Sequence, residues 1–248
     1  MLYRFIQNIG DYFLLLIRVF KKPERWKMYS KSFWREIEIL GVDSFGIVAI
    51  ISLFVGAVVT IQTALNLEDP LIPDYYIAIA TRESIILEFS PTMISLILAG
   101  KVGSNIASTI GTMRVTEQID ALDVMGVNSA SYLILPKILA CVMFFPILII
   151  FSIFLGLFGG WLAGDWAGLI SHYDFAQGLQ LGFEPYYVFY ALVKTTIFAF
   201  LITTVSAFYG YNVKGGAIDV GRASTLAVVN SSIALIVANY FITDLMLS

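Results

Sequence analysis

Charged residues are scarce in this 248-residue sequence: they make up 13% of the chain, whereas hydrophobic residues make up 58%. A water-soluble domain of this length needs a more polar composition to cover its surface. Cys141 is the only cysteine and His172 the only histidine, which excludes a disulfide framework and most zinc and haem sites. The composition is typical of a polytopic membrane protein.

A phosphate-binding loop is also missing. Gly100-Lys101 is followed by valine and has no glycine at the upstream position of the Gly-x-x-x-x-Gly-Lys-[Ser/Thr] motif. Any ATP hydrolysis must therefore come from another polypeptide. One histidine, one cysteine and scattered acidic residues assemble no catalytic site, so we expect no enzyme activity, metal, cofactor or nucleic-acid partner.

Five apolar stretches are long enough to cross a bilayer, which takes roughly 20 helical residues. Spanning segments must be helices or closed barrels, and these stretches lack the alternation of barrel strands. The stretches are residues 44–67, 77–100, 138–164, 186–211 and 223–243. The predicted fold class is an all-α polytopic membrane protein with five transmembrane helices.

Basic residues are distributed unevenly between the two sides of these stretches. Eight of the fifteen precede residue 36, whereas the connections 68–76 and 165–185 contain acidic residues and no lysine or arginine. Basic loops remain on the cytoplasmic side of a membrane. The N-terminus is therefore predicted to be cytoplasmic and the C-terminus to face the outer side.

Residues 1–40 form a region of their own before the first span. Its apolar residues recur at three- and four-residue spacing: Leu2, Phe5, Ile6, Ile9, Phe13, Leu16, Ile17 and Phe20. This spacing predicts an amphipathic helix in the membrane interface, followed by a basic stretch suited to anionic headgroups. A helix packed against the bundle is the alternative.

A polar passage, residues 100–126, separates the second and third spans. Its second half has helical periodicity, with Ile119, Leu122 and Met125 on one face and acidic residues beside them. The pattern predicts a short exposed helix over about 115–126, which a soluble partner could bind. The alternative is an ordinary amphipathic loop helix.

Glu88 and Lys194 fall inside apolar stretches. Only twelve residues separate Glu88 from Lys101, too few to cross, and placing Glu88 in the membrane buries fewer polar residues. A charge near mid-membrane costs at least ~2.5–3.5 kcal/mol, so it usually faces a cavity or a partner. We hypothesise that Glu88 and Lys194 line one outward-facing cavity. The alternatives are a helix-end cap for Glu88 and a snorkelling lysine.

Three glycines recur every four residues on the third span: Gly156, Gly160 and Gly164. Small residues at this spacing let helices approach closely. We therefore predict that these glycines serve helix packing.

Several motifs resemble the MlaE permease family of ABC transporters, which work with MCE-domain proteins. The most specific is Met-x-x-Thr-Glu-Gln-x-x-Ala-Leu at residues 113–122. The others are Glu88-Phe-Ser-Pro91, Ala99-Gly-Lys-Val-Gly-Ser104, Met125-Gly126, Lys194-Thr-Thr-Ile-Phe198 and Gly221-Arg-Ala-Ser-Thr225. The resemblance implies a five-span permease domain over residues 41–248. It departs from the family pattern where charged residues are replaced by Leu87, Tyr187 and Leu226.

The resemblance implies a set of partners: an ABC ATPase subunit, a second copy of the chain and an MCE-domain protein on the outer face. It makes residues 115–126 the cytoplasmic coupling helix, and the residues expected to contact the ATPase are Glu117, Gln118, Asp120, Ala121, Leu122, Met125 and Gly126. It also implies that Glu88 belongs to the lipid path, with Lys194 as its candidate partner.

The function implied is that of a permease subunit in the inner membrane, with its C-terminus in the periplasm. It would move phospholipids between that membrane and the MCE assembly and so maintain outer-membrane lipid asymmetry. Two alternatives stay open: an ATPase-independent secondary transporter, which often shows an internal repeat that is not visible here, and a structural scaffold of an envelope complex.

Overall fold

The computed structural model describes residues 2–21, 26–67 and 73–247. Regular secondary structure in these ranges is entirely helical, and no strand occurs in them. The all-α fold predicted from the composition is therefore confirmed. The helices are α1 (Leu2–Phe20), α2 (Trp26–Glu36), α3 (Phe45–Asn66), α4 (Tyr75–Ser84), α5 (Ile94–Leu98), α6 (Ser104–Val115), α7 (Gln118–Val124), α8 (Ser129–Trp166), α9 (His172–Gln180), α10 (Pro185–Tyr211) and α11 (Ala217–Leu247).

Three π-helical segments join some of these helices into longer ones. They are Ile37–Gly41, Ile85–Met93 and Ala99–Gly103. Within the described residues, five of the resulting helices are long and apolar enough to cross a membrane: Tyr29–Asn66, Tyr75–Val115, Ser129–Trp166, Pro185–Tyr211 and Ala217–Leu247. The prediction of five spans is confirmed.

The second of these helices is much longer than the predicted apolar stretch. It comprises 41 residues, or roughly 60 Å at 1.5 Å per residue, about twice the thickness of a hydrocarbon core. The first half of the polar passage therefore continues this helix to Val115 rather than forming a loop. Hydropathy predicts which part of a helix lies in the hydrocarbon core of the membrane, whereas backbone hydrogen bonding determines where the helix ends.

The contacts divide the chain into two compact units. The first unit comprises Met1–Asp43, Leu96–Phe144 and Ile197–Phe241, and the second comprises Ser44–Ser95, Phe145–Thr196 and Ile242–Ser248. Each unit thus draws on several of the long helices and has its own set of contacts.

In the first unit, helix α1 packs through one face only. Leu15 and Val19 are buried, and the Tyr12 hydroxyl lies 2.8 Å from Oγ1 of Thr204. Four residues of the predicted apolar face are exposed: Ile9, Phe13, Ile17 and Phe20. The side chains of Leu2, Phe5 and Ile6 lie outside the described residues. An exposed apolar face suits an interfacial helix, and that location stays a prediction.

In the second unit, helices α3 and α8 approach closely at glycines. A Cβ built on Gly56 would overlap the backbone carbonyl of Gly156. Beside this contact the hydroxyl of Ser52 donates to Ser152 at 2.8 Å, and that of Ser152 donates to Ser90 at 3.1 Å. The three buried hydroxyls therefore satisfy one another where the helices meet.

Candidate functional site

Glu88 lies on the π-helical segment Ile85–Met93, which also contains Pro91. Proline has no backbone N–H and disturbs the ordinary helical hydrogen bonds. A π-helical turn is a common way to absorb such a disturbance, and such turns are frequent at functional sites. Glu88 lies in the interior of the helix Tyr75–Val115, so it does not cap a helix end.

The ammonium of Lys194 is enclosed by acceptors of the second unit. Its Nζ donates to Oε1 of Glu88 at 2.7 Å, to the carbonyl of Leu87 at 3.0 Å and to the Tyr190 hydroxyl at 2.9 Å. These contacts use all three N–H groups of an ammonium. The Lys194 side chain is 0% exposed. It therefore does not snorkel towards a membrane surface.

The carboxylate of Glu88 is the accessible member of the pair. Its side chain is 44% exposed. Thr92 donates a hydrogen bond of 2.9 Å to Oε2, and the Tyr190 hydroxyl lies 2.8 Å from Oγ1 of Thr243. Thr243 in turn donates to Oε1 of Glu88 at 3.5 Å. The side chains of helices α10 and α11 thus orient both charges.

Glu88 and Lys194 are therefore in contact in the structure, but their side chains differ in exposure. The hypothesis that both line one outward-facing cavity stays a prediction; of the two side chains, only that of Glu88 is exposed, and Lys194 lies behind it. A buried ammonium must be paired, since leaving it alone in a low-dielectric interior costs several kcal/mol. Glu88 supplies the pairing charge for Lys194.

The segment predicted as a coupling helix is a short exposed helix of the first unit. The backbone turns sharply at Glu117, whose φ is 58°, and again after α7 at Gly126, whose φ is 80°. Inside the segment, Ile119 is buried and Arg114 pairs with Asp120 at 2.6 Å. These contacts hold α7 against its unit.

The other residues predicted for ATPase contact lie mostly on the outside of α7. Exposed members are Glu117, Gln118, Asp120, Ala121, Met125 and Gly126, and Leu122 is half-buried. Val124, which the periodicity did not single out, is 89% exposed, and Met125 is 68% exposed. Two neighbouring apolar side chains at the end of a polar helix are a candidate contact surface.

The predicted packing glycines all lie in crowded positions of the second unit. A Cβ on Gly160 would overlap the Thr60 side chain, and one on Gly164 would lie 2.7 Å from a methyl group of Ile170. Gly159, outside the four-residue repeat, would overlap the backbone carbonyl of Leu53. The helix surface in contact is therefore broader than the repeat alone indicates.

Arg82 is a buried cation that the sequence analysis did not recognise as important. Its Nη1 donates to the carbonyls of Gly178, Leu179 and Leu181, at 3.2, 2.9 and 2.9 Å. Its Nη2 donates to the carbonyl of Gly182 at 3.2 Å. Helix C-termini carry unpaired carbonyls and partial negative charge, so a cation is favourable there. Arg82 ties α4 to the end of α9.

The five long apolar helices of the described residues, two of which meet at an ion pair, are those of a polytopic α-helical membrane protein. The family described as Permease MlaE matches residues 33–245. The chain belongs to the MlaE permease family, and the membership predicted from the motifs is confirmed.

Three relatives illustrate the breadth of this family. A probable ABC transporter permease protein of Rickettsia bellii is 34% identical over 242 residues, which cover 98% of this chain and 93% of that protein. The intermembrane phospholipid transport system permease protein MlaE of Haemophilus influenzae is 29% identical over 236 residues, covering 94% and 89%. The chloroplastic protein TRIGALACTOSYLDIACYLGLYCEROL 1 of Arabidopsis thaliana is 29% identical over 235 residues, covering 93% and 64%.

Proposed function

We propose that this chain is the permease subunit of an ABC transporter that moves phospholipids between the inner membrane and an MCE-domain assembly, and so maintains outer-membrane lipid asymmetry. The ion pair of Glu88 and Lys194 is the observation that links this proposal to particular residues. The half-exposed carboxylate of Glu88 is backed by the buried ammonium of Lys194 within an apolar helix. The name of the Haemophilus influenzae relative, an intermembrane phospholipid transport system permease protein, supports phospholipid as the cargo.

The ion pair suits a lipid headgroup because it offers charges of both signs. At rest, Glu88 neutralises Lys194 and shields it from the surface. A headgroup phosphate that approaches can compete with Glu88 for the ammonium, since both are anions that accept charge-assisted hydrogen bonds. Glu88 is then released, and its carboxylate can accept from a headgroup N–H. Loading and release of lipid thus become an exchange of partners at Lys194.

The energy for this cycle comes from a separate ATPase in our proposal. Helix α7 would insert into that ATPase through its exposed residues, with Val124 and Met125 as the apolar contact. Rigid-body motion of the ATPase is then passed to the permease. Two copies of the chain would form the membrane domain, with the N-termini cytoplasmic and the C-termini periplasmic, and an MCE-domain protein would cover the outer face.

Reconstitution of the complex in vesicles tests the proposal. The chain would be purified with its ATPase and MCE partners, and the ATP-dependent transfer of a fluorescent phospholipid would be measured. Glu88→Gln should abolish most of the transfer while the complex still assembles. The matched control is Glu184→Gln, which neutralises an exposed acid of the same unit and should transfer lipid normally.

The two alternatives predict different results in the same experiment. A secondary transporter would move lipid without ATP when an ion gradient is imposed. A structural scaffold would give no transfer above the rate of empty vesicles, and Glu88→Gln would change nothing. Either result would contradict the proposed function.

A further inference from the structure

A cavity of about 650 Å³ lies within the first unit, between helices α2, α6 and α8. It is separate from the ion pair of Glu88, which belongs to the second unit. Its lining combines apolar and polar side chains, and the polar residues that concern the argument are Lys31, Arg35, Glu36, Asn105, Thr109 and Lys137. Three cations against one anion make this a candidate site for a ligand that carries phosphate.

The inner part of the cavity contains a second ion pair. Nζ of Lys137 lies 2.6 Å from Oε1 of Glu36, and the two side chains are 7% and 13% exposed. The other carboxylate oxygen of Glu36, Oε2, is buried and accepts no hydrogen bond from the described residues. Burying a carboxylate oxygen without a donor is unfavourable. Oε2 is therefore a ready acceptor for an N–H group of a ligand.

The opening of the cavity carries the other two cations. Lys31 and Arg35 are exposed, and they lie four residues apart on α2, which places them on the same face of the helix. Within the described part of the chain, neither forms an ion pair. A guanidinium and an ammonium side by side can share one phosphate group. The opening thus favours an anion, while the interior favours a hydrogen-bond donor.

The position of the lining residues in the chain indicates the depth of this cavity in the membrane. Lys137 directly precedes the apolar stretch 138–164, and α2 precedes the stretch 44–67. Asn105 and Thr109 follow the end of the stretch 77–100. Residues just outside an apolar stretch lie at the level of the lipid headgroups. The ligand that this level supplies in abundance is a phospholipid headgroup.

We propose that the cavity binds the headgroup of a phospholipid with a primary ammonium group, such as phosphatidylethanolamine. Its phosphate lies between Lys31 and Arg35, and its ammonium donates to Oε2 of Glu36. A choline headgroup has no N–H to donate, and a glycerol headgroup has no positive charge. The site therefore selects ethanolamine over both. This inference requires a membrane around the chain but does not depend on lipid transport.

Site-specific crosslinking tests the proposal in the full-length chain. The photoreactive residue p-benzoylphenylalanine is placed at position 109, and the chain is kept in detergent micelles that contain a limiting amount of one phospholipid at a time. Mass spectrometry then measures the crosslinked lipid. We expect about tenfold more crosslinking with phosphatidylethanolamine than with phosphatidylcholine, which corresponds to the loss of one charge-assisted hydrogen bond. A probe at position 225, exposed on α11 and outside the cavity lining, should show no preference.

Two variants separate the roles of the charges. Glu36→Gln keeps an acceptor for Lys137 but turns the free oxygen into a donor, so it should remove the preference for ethanolamine over choline. Arg35→Gln changes an exposed residue and should lower the crosslinking of both lipids about tenfold. Lys214→Gln, which removes an exposed cation outside the cavity lining, should change neither. Thermal unfolding of each variant shows whether it is folded.

Several results would overturn the proposal. Equal crosslinking of ethanolamine, choline and glycerol lipids would show that position 109 only touches bulk lipid. Displacement of the lipid by free phosphoethanolamine or inorganic phosphate at millimolar concentration would assign the cavity to a soluble ligand. Crosslinking to the ATPase polypeptide would assign it to a protein contact. The crosslinking results do not depend on whether Glu88→Gln transfers lipid. The headgroup site and the proposed transport function are therefore tested independently.

Discussion

The ammonium of Lys194 lies 2.7 Å from the carboxylate of Glu88, a residue 106 positions earlier in the chain. The two charges belong to different long helices, and the pair is held from both sides by Tyr190, Thr92 and Thr243. The contact therefore depends on the folded second unit.

Energetic coupling between these two residues is the first prediction. Glu88→Ala leaves the buried ammonium without its anion and should destabilise the fold, whereas Glu88→Ala combined with Lys194→Met should restore part of the loss. We expect a coupling energy of about 1–3 kcal/mol in a double-mutant cycle. Unfolding in detergent, followed by circular dichroism, measures it. Strictly additive effects would show that the pair contributes nothing as a pair.

The second prediction concerns the glycine contact between α3 and α8. Gly56→Ala should lower stability by about 2 kcal/mol or more, because the new methyl group overlaps the backbone of Gly156. Gly46→Ala, on the same helix with no atom within 4 Å of its Cβ position, is the matched control. It should be neutral or slightly stabilising, since alanine favours helices over glycine by up to ~1 kcal/mol. Equal thermal stability of the two variants would contradict the close approach.

The third prediction is that Arg82 orders helix α9. Lysine at position 82 keeps the charge but cannot reach four carbonyls with a planar fork of donors. Arg82→Lys should therefore speed amide hydrogen exchange in residues 172–182 about 5- to 30-fold, which corresponds to about 1–2 kcal/mol of lost local stability. Arg222→Lys, at an exposed position, serves as the control. Unchanged exchange in Arg82→Lys would mean that α9 is ordered by its other contacts alone.

The fourth prediction concerns the exposed apolar residues Val124 and Met125 at the end of α7. Val124→Glu and Met125→Glu should each stop the stimulation of transport by ATP and weaken capture of the ATPase, while the permease alone stays as stable as before. Stability is spared because both side chains are exposed. Ile218→Glu places the same charge at an exposed apolar position of the same unit and should leave ATPase capture intact. Normal capture by both α7 variants would rule out this surface as the contact.

Hydropathy and charge were sufficient to predict the five spans, because each span needs a long apolar stretch and the bilayer sets its length. Periodicity also identified α1 and α7. What periodicity could not supply is which face packs inward: α1 buries Leu15 and Val19 and exposes Phe13 and Ile17, all of them apolar. Where a helix is apolar on two faces, the neighbours decide which one is covered.

Composition likewise singled out Glu88 and Lys194, because charges in apolar stretches are conspicuous. Arg82 was missed for the opposite reason. It lies near the beginning of the stretch 77–100, where a charge is less conspicuous than in the middle of a span, and its partners are backbone carbonyls that no residue type reveals. The coordination of Lys194 by the Leu87 carbonyl escaped prediction in the same way.

The distance in sequence between Glu88 and Lys194 has a consequence for biosynthesis. A ribosome delivers Glu88 to the membrane long before the helix that carries Lys194 has been made, so the carboxylate enters without its counterion. An unpaired carboxylate in an apolar environment is costly. Completion of α10 then supplies the ammonium of Lys194. The ion pair can therefore form only after the fourth span has been made.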